Sequence, residues 1–445
     1  MFSRLLYSSL QEWSENKSRK PLVLRGARQV GKTTLVKTFS KSFDKFIHLN
    51  LELSEHRRLF ESDYTFKELV SAIFYHSDKI RDQKRTLIFI DEIQNSSKAV
   101  ASLRYFYEEA PELYVIAAGS LLESLIDSRI SFPVGRVEYM TVRPCSFIEY
   151  LNAVNDGLSL QYITQGKIPV FAHQKLMEHF NQYTLIGGMP EVVSLFAETN
   201  DIVAVNRVFG SLVSGYRDDV EKYARNLSME NHIRHIINVG MTFAGQRIKF
   251  ERFGSSDYRS REMGEAFRTL EKAMLIELSY PVMSSTMPLI PDLKKSPRLS
   301  WFDTGVVNFA AGVQRELFGA KDISNVWRGL IAEHIAGQEL LALDNSVLAK
   351  RIFWVREAKN SNAEIDFIYQ FKGQIIPVEV KSGKGSRLLS MHLFMETVNH
   401  DIAVRIWTSP FLEDSIKLKS GKTIRLLNIP FYLVNQLPLI LNQYF

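Results

Sequence analysis

A chain of 445 residues exceeds one ordinary domain, so about three units, and several cores, are expected. Apolar residues at 45% and charged residues at 23% describe a globular protein and exclude long disorder, while the single cysteine, Cys145, excludes an internal disulfide and any cysteine-based zinc site. A net charge of +6 spread over this length permits a nucleic-acid partner without pointing to one.

The first 21 residues carry too short an apolar run for a secretory signal and read as an amphipathic helix. Even LYVIAAGSLLESLI is interrupted by Glu123, so no membrane span is expected and a cytoplasmic location is. PLVLRGARQVGKTTLVKTFSK then places an apolar strand, 21–24, before Gly26-Ala27-Arg28-Gln29-Val30-Gly31-Lys32-Thr33, with Thr34 carrying on into a helix. The spacing is that of a phosphate-binding loop. Glycines 26 and 31 let the amides point inward, Lys32 reaches the outer phosphates, Thr33 ligates Mg²⁺, and the helix offers its positive end.

A chance glycine-rich turn also fits eight residues, and TLIFIDEIQN at 86–95 supplies the second element. Its strand ends in Asp91-Glu92, one carboxylate near Mg²⁺ and the other near the attacking water, so ATP and Mg²⁺ are the expected cofactors. FIHLNLEL at 46–53 and LYVIAAGS at 113–120 add strands to the same parallel sheet. Ser120 either senses the γ-phosphate or is an ordinary turn serine. Arg136 in PVGRVEY and Arg143 in VRPCSF are candidates for the cation that meets transition-state charge, Arg136 being favoured.

Residues 151–225 read as helices forming a lid: HQKLMEHFNQYTLIG has helical spacing and Gly187-Gly188-Met189-Pro190 stops it. In SGYRDDVEKYAR the charges describe a solvated face, with Arg217 and Asp218 as candidates for coupling the lid to nucleotide. Residues 226–320 read as a winged helix-turn-helix, in which SSDYRSREMGEAFRTLEKAMLIELSYPV gives caps, helix and strand and PDLKKSPRLSWFDTGV the wing and return strand. Arg259, Arg261 and Arg268 then lie where such domains often contact DNA, although many winged helices only join domains. His232 and His235 share a helix face without a third ligand at metal spacing and read as structural.

In the last segment, 321–445, WRGLIAEHIAGQELLAL is a helix carrying Glu333, and RIFWVREA, AEIDFIYQF and QIIPVEVKSG are strands. Asp366 and Glu379 then fall on adjacent antiparallel strands, and Glu379 and Lys381, two apart, share a face. Two carboxylates can hold Mg²⁺ against a scissile phosphate while the lysine stabilises charge or positions water. A Glu379–Lys381 pair on an exposed face is the plainer alternative, contributing under about 1 kcal/mol and leaving Asp366 unexplained. Lys384 and Arg387 in KSGKGSR either track a phosphate backbone or belong to a solvated turn.

LRGARQVGKTTL, IDEIQN, AAGS, PVGRVE, RPCSFIEYL and LIGGMPEVV, in this order, resemble the AAA-type P-loop ATPases whose C-terminal portion is the DUF4143 family, over nearly the whole chain. The resulting fold class is α/β: a P-loop parallel sheet (1–150) with a helical lid (151–225), then a winged helix (226–320) and a restriction-endonuclease-like domain (321–445). The resemblance implies that Asp91 binds Mg²⁺ through water and Glu92 polarises the nucleophile. Gly135-Arg136 resembles an arginine-finger block, acting within the chain or on a neighbour. Glu333, Asp366 and Glu379-Val380-Lys381 resemble the PD-(D/E)xK phosphodiesterases, with Asp366 and Glu379 as metal ligands. The sequence departs from that pattern at Glu364-Ile365-Asp366, which has no proline-aspartate pair. The expected function is an ATP-hydrolysing, DNA-directed enzyme with a phosphodiester-cleaving C-terminal domain. The alternatives are a nucleotide-controlled switch that binds DNA or protein and cuts nothing, and a ring-forming remodelling ATPase indifferent to DNA. ATP and DNA are the expected partners, with a homo-oligomer left open.

Overall fold

The computed structural model describes residues 2–119, 133–312, 314, 329–358, 361–381 and 388–445. Helix α1 (Leu6–Glu15) precedes a parallel sheet of β1 (Leu22–Arg25), β2 (Lys45–Asn50), β3 (Thr86–Asp91), β4 (Tyr114–Ala118) and β5 (Glu138–Thr141), in the order β2-β3-β4-β1-β5. Between these strands run α2 (Lys32–Phe39), α3 (Ser54–Glu61), α4 (Phe66–His76) and α5 (Ser97–Glu109). Alternation along the strands separates two buried faces. Leu22, Leu24, Leu87 and Phe89 share a core with residues of α1 and α2, whereas Val23, Ile88 and Ile90 share another with α4 and α5. Cover on both faces is why these strands read as unbroken apolar runs. Because the strands are parallel, their carboxyl ends form one edge, where Arg25 lies opposite Thr141 and Asn50 opposite Asp91.

A helical segment follows: α6 (Phe147–Ala153), α7 (Gly157–Gln165), α8 (Ala172–Ile186), α9 (Pro190–Thr199), α10 (Ile202–Asp218) and α11 (Val220–Tyr223). Gly187-Gly188 ends α8, as its composition suggests, but it is also a point of close packing. A Cβ on Gly188 would collide with the Cys145 carbonyl oxygen. Here the Cys145 amide donates to Gly188 O at 2.6 Å, and the Gly188 amide donates to Asp303 Oδ2 at 2.6 Å.

Next, α12 (Leu227–Val239) packs on α13 (Ser260–Lys272), and β6 (Ile276–Ser279) pairs antiparallel with β8 (Arg298–Trp301) ahead of α14 (Thr304–Ala310). Short β7 (Pro281–Val282) instead runs parallel to β9 (Phe353–Ala358) of the last segment. Trp354 Nε1 donates to Met283 O at 3.1 Å, and Arg247 and Lys295 both pair with Glu357. The stretch read as a wing is therefore laid against the C-terminal sheet.

The last segment comprises α15 (Leu330–Ala342), β9, β10 (Ser361–Ile365), β11 (Phe367–Phe371), β12 (Gln374–Val380), α16 (Leu389–Met395), β13 (Ile402–Trp407), β14 (Leu412–Lys417), β15 (Thr423–Pro430) and α17 (Leu437–Leu441). Its sheets are ordered β10-β9-β7 and β11-β12-β13-β15-β14. The single strand expected at 363–371 breaks at Asp366, because residues before it pair with β9 and those after it with β12. Of three apolar cores among the described residues, the largest contains Leu22, Phe180, Phe209, Trp301 and Val378, and so draws on the parallel sheet, the helical segment, the middle stretch and the last segment.

Candidate active sites

The P-loop leaves β1 at the carboxyl edge of the parallel sheet. Gly26 has φ +152°, and a Cβ there would strike the Val142 carbonyl oxygen, so the first glycine is required by space as well as by conformation. Gln29, at φ +64°, curls the loop before α2 starts at Lys32. Lys32 is buried, and its Nζ donates to Gly26 O at 2.8 Å and Ala27 O at 2.9 Å. Burial lowers its pKa to about 8, with Glu92 and Asp91 opposing the fall. Thr33 Oγ1 donates to Asp91 Oδ2 at 2.7 Å, and His48 Nε2, otherwise without a hydrogen-bond partner, is 3.7 Å from the same oxygen. Glu92 sits at φ +52° and accepts from Gln94 Nε2.

Arg28, Gln29, Thr34 and Glu92 line a cavity of about 920 Å³, to whose wall Pro190 and Glu191 of α9 also contribute. A buried lysine whose described partners are neutral carbonyls, a Thr–Asp pair and this volume fit a nucleoside triphosphate with Mg²⁺.

Three further residues, Arg4, Asp219 and Tyr216, hold this loop and are not evident from the motif. Arg4 donates from Nη1 to Val30 O at 3.0 Å, from Nη2 to Arg143 O at 2.6 Å and from Nε to Glu149 Oε1 at 2.9 Å, tying the loop to β5's exit and to α6. Arg28 pairs with Asp219, and Tyr216 Oη donates to Arg28 O at 3.4 Å. Arg217 and Asp218, the residues expected to couple the helices to nucleotide, are both exposed, and the contact belongs to buried Asp219.

Arg136 lies just ahead of β5, whose Glu138 is in register with Leu22 at the start of β1. It is therefore at the amino edge of the sheet, opposite the P-loop, where its Nε donates to Glu108 Oε1 at 2.8 Å. Arg143 turns toward the last segment and donates to Asp344 O at 3.1 Å and Ser346 O at 3.2 Å. The structure thus brings neither arginine to this chain's own nucleotide cavity. Ser120, Lys384 and Arg387 lie outside the described residues.

A second constellation forms where α15, the β10–β11 bend and β12 meet. Asp366 Oδ2 accepts from the Val380 amide at 2.8 Å, and Lys381 Nζ donates to Glu379 Oε1 at 2.8 Å. Glu379 is 5% exposed and Asp366 7%, so the plain surface-pair alternative does not describe this geometry. Burial first, and then the Asp366 carboxylate, pushes the Glu333 carboxyl up to about 8 and that of Glu379 up to about 7. Asp366 is itself raised by burial, against the opposing charges of Arg298 and Lys381. Glu379 Oε2 is buried without a hydrogen-bond partner. Asp366 and Glu379, both buried and the latter with an unpartnered oxygen, are the two carboxylates available to a divalent cation; with Glu333 they do not bring three ligand atoms within 4.8 Å of one another, a spacing met among the described residues by Glu55, His56 and His76.

Arg298, from β8, also belongs to this cluster. It donates to Asp366 O at 3.0 Å, pairs with Glu364, approaches Glu333 Oε2 at 3.8 Å and lies over the Phe353 ring at 4.6 Å. Sequence reading placed it in the return strand of a wing, and it reaches this cluster because that stretch packs against the last segment.

Family models match in three places: an AAA domain over residues 18–151, a domain of unknown function (DUF8612) over 177–317, and a second domain of unknown function (DUF4143) over 328–428. The chain joins an AAA domain to a DUF4143 domain. The AAA domain contains the P-loop and Asp91-Glu92, the DUF4143 domain contains Glu333, Asp366, Glu379 and Lys381, and Arg298 comes from the stretch between them. No curated protein matches the chain. Among similar solved structures, a Walker-type ATPase of Pyrococcus abyssi is 15% identical with a TM-score of 0.43, covering 70% of this chain and 96% of its own. PCH-2 of C. elegans is 13% identical with a TM-score of 0.26, covering 43% and 58%. A signal-transduction ATPase with a tetratricopeptide repeat sensor from Pyrococcus horikoshii is 14% identical with a TM-score of 0.28, covering 75% and 46%.

Proposed function

We propose that the chain is a Mg²⁺-dependent ATPase whose nucleotide state controls a DNA-directed, phosphodiester-cleaving DUF4143 domain. The observation that carries this reading is the approach of partly exposed Glu333 and Lys381 to buried Asp366 and Glu379, from three separate elements.

In the AAA domain, Thr33 and Asp91 would hold Mg²⁺, which neutralises phosphate charge when bound. Lys32 and the loop amides bind the phosphates, and the anion opposes the burial that lowers the lysine's pKa. Glu92, once released from Gln94, orients the attacking water. Arg136, at the opposite edge of its own sheet, serves only a neighbouring copy's nucleotide, which ties this role to a homo-oligomer.

In the DUF4143 domain, Asp366 and Glu379 would hold a divalent cation that polarises a scissile phosphate when bound. Lys381 presents positive charge beside them; burial pulls its pKa down, but Asp366 and Glu379 more than offset this and raise it. Arg298 favours a second reading, in which its charge already occupies the acidic pocket of a binding switch that cuts nothing. Mn²⁺ binding to the full chain separates the two. The nuclease reading expects two classes of site, one lost in Thr33→Ala and the other in Asp366→Ala. Mn²⁺ binding unchanged by Asp366→Ala rejects it in favour of the switch.

A further inference from the structure

A second cavity, of about 340 Å³, opens where the AAA domain, the middle stretch and the DUF4143 domain meet. Val142 and Pro144, Met274 and Phe302, and Leu341 and Ala342 give it apolar walls from all three parts. Six cations also line it, namely Arg25, Arg143, Arg268, Lys272, Lys350 and Arg351, against two carboxylates, Glu271 and Glu277. Both carboxylates already have cationic partners from within this set. Arg351 Nε donates to Glu277 Oε2 at 3.3 Å, and Lys350 Nζ donates to Glu271 Oε1 at 3.1 Å. Cations outnumber carboxylates on the wall, and Lys350 and Arg351 rather than Arg143 or Arg268 are the partners of its two carboxylates.

Arg143 shows the consequence. Its guanidinium donates to two uncharged carbonyls, and burial, with the Arg351 charge adding to it against Glu277, brings its pKa down to about 10. Charges in a partly enclosed apolar recess are screened less than those on an open surface. An anion with a flat apolar body would meet both the cations and the walls. The volume is at the small end of ligand cavities and too small for a nucleic-acid duplex. The cavity also touches the nucleotide machinery: Ala27 of the P-loop forms part of the wall, and Arg4 bridges the Arg143 and Val30 carbonyls.

We propose that this cavity is a second ligand site, for a small organic phosphate of the nucleoside-monophosphate type, with Arg143 and Arg268 as its phosphate-binding cations. It is independent of whether the DUF4143 domain cuts DNA. AMP titrated calorimetrically into the full chain tests it, with Arg268→Glu, Arg268→Lys, Arg261→Glu and Thr33→Ala as companions. Arg268 is exposed, so its replacement spares the core, and Arg261 is exposed on the same helix but absent from the cavity wall. AMP should bind the wild type, and Arg268→Glu should weaken it about tenfold or more, the worth of a charge-assisted hydrogen bond. Arg268→Lys should retain most of the affinity, and Arg261→Glu and Thr33→Ala nearly all of it. The proposal is overturned if AMP does not bind the wild type, if Arg268→Glu binds it equally well, if Arg261→Glu costs as much as Arg268→Glu, or if Thr33→Ala abolishes binding and so assigns AMP to the P-loop.

Discussion

Among the described residues Lys32 has two carbonyl partners and no anionic one within hydrogen-bond reach, in a site dry enough to lower its pKa to about 8. Lys32→Ala should therefore abolish ATP binding, and calorimetry giving wild-type affinity would sink the P-loop assignment. Arg298 makes a different demand. It is 6% exposed and faces Glu333 and Glu364, so Arg298→Gln removes the buried cation beside Glu333 and leaves Glu364, among the described residues, only the more distant Arg247, at 4.0 Å. Breaking a buried pair in this way costs about 3 kcal/mol, toward the low end of the usual range because Glu364 is partly exposed. Urea unfolding with an unchanged midpoint would mean that Arg298 does not hold the cluster together.

At the scale of elements, Glu339 on α15 joins three segments. It accepts from the Phe147 amide at the start of α6 at 3.0 Å and from Tyr183 Oη on α8 at 2.7 Å. Burial raises its pKa from 4.5 to about 7 despite these bonds. The folded state thus holds a proton that the unfolded chain releases, so this contribution to stability is full below pH 4.5 and fades as pH rises through 7. A shift of that size corresponds to roughly 3 kcal/mol. Thermal melts of Glu339→Gln and wild type should accordingly diverge in the variant's favour as pH rises from 5 to 7, and parallel curves would count against the assignment.

The same scale shows what the sequence could reveal. The P-loop, the strand ending in Asp91 and the strand carrying Glu379 were legible because their spacing is local and their apolar runs are long. Asp366's bend was not, because it arises where one strand changes ladder partner from β9 to β12. Asp219 was missed for a similar reason: choosing among Arg217, Asp218 and Asp219 requires the phase at the junction of α10 and α11. Arg298 depends on a contact between segments 68 residues apart, which no local pattern encodes.

Across the whole molecule, one core runs from Leu22 through Trp301 to Val378, and Arg4, Asp219 and Glu339 bind its parts with directional contacts. Such a body transmits a change at the P-loop through packed elements rather than through a free linker. Loss of the Arg28–Asp219 pair should loosen the nucleotide cavity. Asp219→Asn is expected to raise the KM for ATP several-fold, by about the worth of a charged hydrogen bond, and an unchanged KM would leave that pair with a purely structural role.

The most direct test of the account is cleavage of single-stranded, duplex and branched DNA in Mg²⁺ or Mn²⁺, with and without ATP, by the wild type, Asp366→Ala and Lys32→Ala. The account predicts metal-dependent cleavage that disappears in Asp366→Ala and loses its response to ATP in Lys32→Ala. An intact ATPase that leaves every substrate uncut, or cleavage that persists in Asp366→Ala, would contradict it.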